Sequence, residues 1–236
     1  MPLTIDMAIA KTNKYASRES GDTVEIVERP GGGMSVIMAD GQGTGRAAKS
    51  LSMLVTAKVA ALIKEGVRDG ACARAANDFL FAMRGGKVSA TLDILSVDLK
   101  TKTVVITRNG NTSCLIATCE GIEVAHDAER PLGLHARTRP WTAELPISAG
   151  LRVVLVSDGV KHSGSRAGMP PFDLAGAVRR AGLSNSAEAM ADALLAEALA
   201  RDAQTPRDDM SVVALALPEH HETTLVRRMR ALVPLP

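Results

Sequence analysis

The chain opens with a pattern of apolar and polar residues that predicts a β-hairpin. Residues 23–28 (TVEIVE) alternate apolar and polar, as a half-buried strand does. A Pro-Gly-Gly-Gly turn at 30–33 separates them from 34–39 (MSVIMA), a second and more apolar strand. Two segments with apolar residues at helical spacing follow, and they end at Gly66 and at Gly85-Gly86.

The rest of the chain predicts mainly short strands and two more helices. Closely spaced strands are expected at 90–94, 103–107, 113–117 and 121–125, and such spacing favours antiparallel pairing. A buried strand at 151–156, helices at 172–181 and 187–200 and a strand at 210–217 complete the pattern. Because strands and helices do not alternate regularly, we predict an α+β fold, with stacked antiparallel sheets and helices outside them.

The amino-acid composition makes some classes of protein improbable, among them nucleic-acid-binding and membrane-spanning proteins. Of the 236 residues 46% are apolar, enough for a sizeable core, and the formal charge of +2 is too balanced for nucleic acid to be the main partner. No apolar run approaches the roughly 20 residues of a membrane span, and the N-terminus lacks the layout of a signal peptide. We therefore expect a cytoplasmic protein whose three cysteines, Cys72, Cys114 and Cys119, are reduced and buried.

Aspartates stand at the ends of several predicted strands. Asp22 precedes the first hairpin strand and Asp40 follows the second, so their carboxylates should be neighbours at the open end of the hairpin. Asp158 follows the strand that ends at Val156, and Asp208-Asp209 precede the last strand. Carboxylates that converge repel one another, and Mg²⁺ or Mn²⁺ would remove that penalty through oxygen ligands. Aspartate is also common in turns because it caps its own backbone, so each position alone leaves both interpretations open.

The order of short motifs resembles a known family. The motifs are SGD at 20–22, ADGQGTG at 39–45, VSDG at 156–159 and DDMSV at 208–212. In this order they resemble the metal-dependent protein phosphatase (type 2C-like) superfamily, and in particular its bacterial branch named after stage II sporulation protein E. The resemblance implies a phosphatase domain over residues 1–218, built as two stacked antiparallel β-sheets flanked by helix pairs, and a C-terminal tail at 219–236.

The same resemblance implies roles for individual residues. Asp40 would bridge two Mn²⁺ or Mg²⁺ ions, the Gly41 carbonyl would help to hold the second ion, and Asp158 and Asp208 would hold the first. Asp22 would also belong to the metal site and support it directly or through water, and Asp209 would be a neighbour of the ligands. A water activated by the two ions would then attack phosphorus in a phosphoserine or phosphothreonine, which makes Asp40, Asp158 and Asp208 the catalytic set.

Several further residues lie near the motifs. Arg18 is a candidate phosphate-binding residue, with a solvated charge as the alternative. Gln42 stands where the family usually has Met or His. His162 is expected on a loop surface. The side chain of Asp93 could face either the site or solvent, and we expect it to face solvent.

The implied substrate is a phosphorylated regulatory protein of bacterial partner switching, either a sigma-factor or a stress regulator. Two other classes compete with this interpretation. One is a catalytically inactive phosphatase fold that binds a partner. The other is a P-loop nucleotidase, because GTGRAAKS at 43–50 nearly matches the nucleotide-binding pattern, although Ala48 replaces the second glycine. The tail residues 225–233 (LVRRMRALV) would form either a short amphipathic helix or a frayed end. The sequence does not indicate an oligomeric state.

Overall fold

The computed structural model describes residues 2–125, 130–182, 186–220 and 226–234. In these ranges the chain forms ten strands and five α-helices. The strands are β1 (Asp6–Thr12), β2 (Asp22–Glu28), β3 (Gly33–Gly41), β4 (Ala90–Asp98), β5 (Thr103–Asn109), β6 (Ser113–Thr118), β7 (Gly121–Ala125), β8 (Trp141–Pro146), β9 (Arg152–Val156) and β10 (Met210–Ala216). The helices are α1 (Gly45–Lys64), α2 (Asp69–Arg84), α3 (Asp158–Lys161), α4 (Leu174–Arg180) and α5 (Ala187–Arg201).

The strands form two five-stranded sheets. One sheet has the order β1-β10-β9-β6-β7 and the other has the order β2-β3-β4-β5-β8. Every pairing between neighbouring strands is antiparallel. The predicted α+β class, two stacked antiparallel sheets with helices outside, is confirmed.

Three apolar clusters hold the layers together. Val36, Leu95 and Ile106 of one sheet pack against Leu155 and Val213 of the other, which forms the core between the sheets. The outer face of the β2–β8 sheet is covered by the apolar stripes of α1 and α2, and α4 and α5 cover the outer face of the other sheet. The layers therefore follow the order α-β-β-α, and both sheets are apolar on both faces.

The sequence pattern did not predict β1, β8 or the short helix α3. β1 is an edge strand whose partner, β10, lies about two hundred residues away, from Asp6 opposite Ala216 to Thr12 opposite Met210. β8 is the edge strand of the second sheet, and its residues are alternately half-buried and exposed. Both strands are defined by distant pairing more than by local pattern.

The expectation that Asp93 faces solvent was wrong. Asp93 is fully buried between the sheets, where its Oδ1 accepts a hydrogen bond from Arg108 Nε at 3.2 Å and from Thr112 Oγ1 at 2.9 Å. Arg108 is also fully buried and donates to the carbonyl oxygens of Ala125 and Thr112. Arg108 therefore connects its own strand, β5, with the ends of strands β6 and β7 in the other sheet.

Three further sequence expectations can be compared with the fold. Cys72 and Cys114 are buried free thiols, but Cys119 is exposed. Residues 226–234 of the tail contain no helix and are exposed, whereas 221–225 and 235–236 lie outside the described residues. Within the described ranges, no helix has both the length and the apolar character that a membrane crossing requires.

Candidate active site

The hairpin of β2 and β3 brings the first two aspartates together. Asp22 lies directly opposite Asp40 in the antiparallel register. Both residues, and also Gly41, belong to the strands themselves and do not lie beyond their ends as the sequence pattern predicted. Asp22 is almost completely buried and Asp40 is half-buried.

The other sheet supplies Asp158, Asp208 and Asp209 at the same edge of the stacked sheets. We call this edge, with Asp22 and Asp40, the acidic rim. Asp158 begins α3 directly after β9, and Asp208-Asp209 lead into β10, the strand that pairs with β9. Asp158 and Asp208 line a recess of about 200 Å³, together with His162. Asp209 has a different environment, because its Oδ1 and Oδ2 accept the backbone N–H groups of Lys14 at 2.9 Å and of Gly21 at 2.6 Å.

Two glycines that follow site aspartates allow close backbone approach. A Cβ at Gly41 would overlap the carbonyl of Ala48 in α1, and a Cβ at Gly159 would overlap the carbonyl of Asp209. Neither glycine has a positive φ, so close packing explains both residues and conformational freedom does not. The glycine in each Asp-Gly pair therefore lets the neighbouring chain lie against the site.

A buried pair of hydroxyl groups supports the cluster from behind. Ser211 Oγ donates to Asp22 Oδ2 at 2.6 Å, and the Ser211 backbone N–H donates to Ser157 Oγ at 2.9 Å. Ser157, Ser211 and Asp22 are each at most 1% exposed. These contacts hold the carboxylate of one sheet on a strand of the other, so the rim keeps a defined width.

The carboxylates influence one another electrostatically. Burial raises the pKa of Asp40 to about 8, with further contributions from the charges of Asp22, Asp158, Asp208 and Asp209. Burial also raises the pKa of Asp22 to about 7, and the hydrogen bond from Ser211 opposes that shift. For Asp158, burial and then the charge of Asp208 raise the pKa. The aspartates are therefore close enough to influence one another's ionisation.

The acidic rim has the chemistry of a divalent-cation site, because carboxylate oxygens are its donors. Among the described residues, no group of three or more His, Cys, Asp or Glu side chains is arranged to hold a metal ion as it stands. The Asp40 carboxylate has no hydrogen-bond or ion-pair partner within the same residues. A carboxylate that is partly buried, repelled by its neighbours and unpartnered is suited to a hard cation, and the donor set is entirely oxygen. The residues present therefore fit Mg²⁺ or Mn²⁺ by the chemistry of their donor atoms.

The remaining candidates lie around this rim. Arg18 is exposed on the loop between β1 and β2, which Asp209 fastens at both ends. Gln42 Oε1 accepts a hydrogen bond from the backbone N–H of Ser89 at 2.9 Å. Lys49 donates to the Asp22 carbonyl at 2.9 Å and to Thr23 Oγ1 at 3.0 Å. These contacts of Lys49 and the all-antiparallel sheets give no support to the P-loop interpretation, which needs a parallel sheet.

The fold and the acidic rim together define the class of protein. Three solved phosphatase structures share the fold: the type 2C phosphatase domain of SpoIIE from Bacillus subtilis with a fragment of its regulatory domain, RsbX in complex with magnesium, and the serine/threonine phosphatase PstP from Mycobacterium tuberculosis. Their TM-scores are 0.78, 0.69 and 0.70, at 19%, 16% and 19% sequence identity. The alignments cover 92% of this chain in each case, and 64%, 98% and 100% of the respective structures. The chain has the fold of the type 2C serine/threonine phosphatases.

The family assignment is more specific. The model of the stage II sporulation protein E (SpoIIE) family matches residues 30–218, so the chain belongs to that family. The family resemblance predicted from the ordered motifs is confirmed. A search of curated proteins found no match.

Proposed function

We propose that this chain is a metal-dependent phosphoserine/phosphothreonine protein phosphatase. The observation that carries the proposal is that Asp22 lies directly opposite Asp40 and accepts a hydrogen bond from Ser211, on the strand of the other sheet that follows Asp208. Family membership supports the same activity.

Individual residues would hold the ions as follows. Asp40 would bridge two divalent ions, the Gly41 carbonyl would contact one of them, and Asp158 and Asp208 would contact the other. Asp22, which Ser211 holds in place, would support the cluster from the buried side. When bound, two such ions supply Lewis-acid stabilisation of negative charge and an activated water nucleophile.

The protein's own residues prepare this chemistry. Burial of Asp22 strengthens electrostatic effects at the cluster, because charges interact more strongly away from water. Asp209 would not bind an ion, because two backbone N–H groups occupy its oxygens and it fastens the loop that carries Arg18. Arg18, exposed on that loop, remains a proposed contact for the phosphoryl group of the substrate.

We propose a phosphorylated partner-switching regulator, of a sigma factor or of a stress response, as the substrate. The support is membership of the SpoIIE family and the resemblance of its motifs to short bacterial regulators of this kind. Phosphate release from a panel of phosphorylated antagonist proteins, compared with phosphocasein, tests it. Equal rates across the panel and phosphocasein would contradict it.

The central experiment measures phosphate release from a phosphoserine peptide with Mn²⁺, with Mg²⁺ and with EDTA. We expect activity only with a divalent ion, and a loss of about 100-fold or more in Asp40→Asn. Asp192→Asn, which changes an exposed aspartate on α5, is the matched control and should retain activity. Activity that persists in EDTA or in Asp40→Asn would contradict the metal mechanism.

A binding measurement separates the second candidate, an inactive phosphatase fold. Mn²⁺ binding can be followed directly by electron paramagnetic resonance. A protein that binds Mn²⁺ through Asp40 but hydrolyses neither the peptide nor p-nitrophenyl phosphate would be a binding protein with a phosphatase fold.

A further inference from the structure

A second recess adjoins the acidic rim and has the opposite charge. It has a volume of about 180 Å³, and its lining includes Arg166, Arg201, Arg207 and Asp202. We call it the arginine recess, after Arg166, Arg201 and Arg207. It shares Asp202 and Arg207 with the recess that Asp158 and Asp208 line, so the two spaces are neighbours.

The positive charge of the arginine recess is not neutralised locally. Asp202 is the acidic residue in its lining, and its Oδ1 and Oδ2 accept the backbone N–H groups of Gly164 at 2.7 Å and of Arg207 at 3.2 Å. Within the described parts of the chain, none of the three arginines forms a salt bridge. The lining therefore contains three arginines and one aspartate, and that carboxylate already accepts two backbone N–H groups.

One of the arginines is held in place from behind, and another has a buried donor without a partner. Arg201 donates to the carbonyl oxygens of Ser163 and Pro170, and its guanidinium lies 5.7 Å from the centre of the Phe172 ring. Arg207 has a buried Nε without a hydrogen-bond partner, in a structure where buried donors normally have one. Arg166 is exposed at the mouth of the recess.

The turn before Arg207 is strained. Ala203 and Gln204 have φ values of +51° and +61°, in the left-handed region that non-glycine residues rarely adopt. Hydrogen bonds from Gln204 N to Leu199 O and from Thr205 Oγ1 to Asp202 O hold the turn in this form. Strain of this kind often accompanies functional sites.

We propose that the arginine recess binds acidic residues that flank the phosphorylated serine or threonine of the substrate. This inference rests on the proposed function and specifies its substrate class. An extended peptide rises about 3.3 Å per residue, so a side chain two or three positions from the phosphorylated residue can reach a neighbouring recess. Guanidinium groups bind carboxylates with two parallel hydrogen bonds.

The test compares two phosphoserine peptides that differ only in the residues two and three positions away on each side, Asp and Glu in one and Asn and Gln in the other. We expect kcat/KM for the acidic peptide to be about 3- to 10-fold higher in the wild type, because surface ion pairs contribute modest energies. The preference should decrease as NaCl is raised to about 0.5 M, where charges are screened. Arg166→Glu should abolish or reverse the preference.

A matched control variant distinguishes the effect of charge in the arginine recess from the effect of the protein's overall charge on the peptide preference. Arg74→Glu makes the same change of charge on an exposed position of α2, which packs on the other sheet, and it should keep the wild-type preference. Equal rates for the two peptides in the wild type would overturn the proposal. So would a preference that Arg166→Glu changes no more than Arg74→Glu does.

A binding assay keeps this proposal separate from the proposed activity. Fluorescence anisotropy of the two labelled peptides, with EDTA present, reports on the recess without hydrolysis. Absence of Mn²⁺-dependent hydrolysis of p-nitrophenyl phosphate would contradict the phosphatase function alone, and equal binding of the two peptides would contradict the arginine recess.

Discussion

Asp22 and Asp40 lie directly opposite each other on antiparallel strands, and both have a raised pKa, about 7 for Asp22 and about 8 for Asp40. Burial is the main cause in both cases, and the charge of Asp22 adds to the shift at Asp40. Like charges opposite each other in a sheet are destabilising. In the protein without metal, repulsion between these two carboxylates therefore lowers the stability of the fold, by an amount that depends on pH.

This relationship predicts how the metal-free protein responds to pH. A carboxyl group with a raised folded pKa binds more protons in the folded than in the unfolded state. Its contribution to stability is thus fully present below the unfolded pKa, about 4, and is lost as the pH rises through about 7 to 8. In EDTA, we expect the free energy of unfolding in urea to fall between about pH 5 and about pH 8.5.

The substitution Asp40→Asn tests the origin of that slope. It should stabilise the metal-free protein at about pH 8.5 by on the order of 1–2 kcal/mol and make the pH dependence shallower. Asp192→Asn on α5 is the control. An unchanged slope in Asp40→Asn would show that Asp40 is not the source.

Ser211 is predicted to act through Asp22. Ser211→Ala removes the hydroxyl that donates to the buried carboxylate, so it should cost about 1–3 kcal/mol of stability and weaken Mn²⁺ binding. Ser211→Thr keeps a hydroxyl group and should retain most of both properties. Urea unfolding and Mn²⁺ titration measure them, and equal behaviour of the Ala and Thr variants would refute the role of the hydroxyl.

Gly159 is predicted to be essential for the position of Asp208 and Asp209. In Gly159→Ala the new Cβ would overlap the Asp209 carbonyl, so we expect a loss of about 1–3 kcal/mol together with weaker Mn²⁺ binding. Gly70→Ala is the control, since its Cβ would meet nothing closer than 3.6 Å and alanine favours helix α2. A Gly159→Ala protein as stable as Gly70→Ala would contradict the close packing.

Removing one partner of the Asp93–Arg108 ion pair is predicted to cost more stability than replacing both partners with apolar residues. Asp93→Ala leaves a buried guanidinium without its partner and should cost about 3–5 kcal/mol, as measured by urea unfolding. The double variant Asp93→Leu/Arg108→Met removes both charges and should recover much of that loss. A double variant less stable than Asp93→Ala would show that the other bonds of Arg108 are worth more than the pair.

Local sequence patterns were sufficient for the elements with strong periodicity. Alternation at 23–28 and 34–39 around a glycine-rich turn predicted a hairpin, and the hairpin alone brings Asp22 opposite Asp40. The helical stripes of α1 and α2 were likewise visible, because one face of each helix must be apolar to cover a sheet. The order of the aspartate motifs was enough to indicate the family.

Contacts between distant segments were decided by the tertiary structure. Asp93 alternates with apolar neighbours as a solvent-facing residue does, but the second sheet covers that face and encloses Arg108 with it. Whether a strand has one covered face or two depends on sheet stacking, which the strand's own residues do not encode. The arginine recess and the bonds that occupy Asp209 also join segments that are far apart in sequence. The sequence by itself thus determined the hairpin, the helix faces and the acidic motifs, whereas only the stacking of the two sheets decided which charges are buried, paired or left free at the rim.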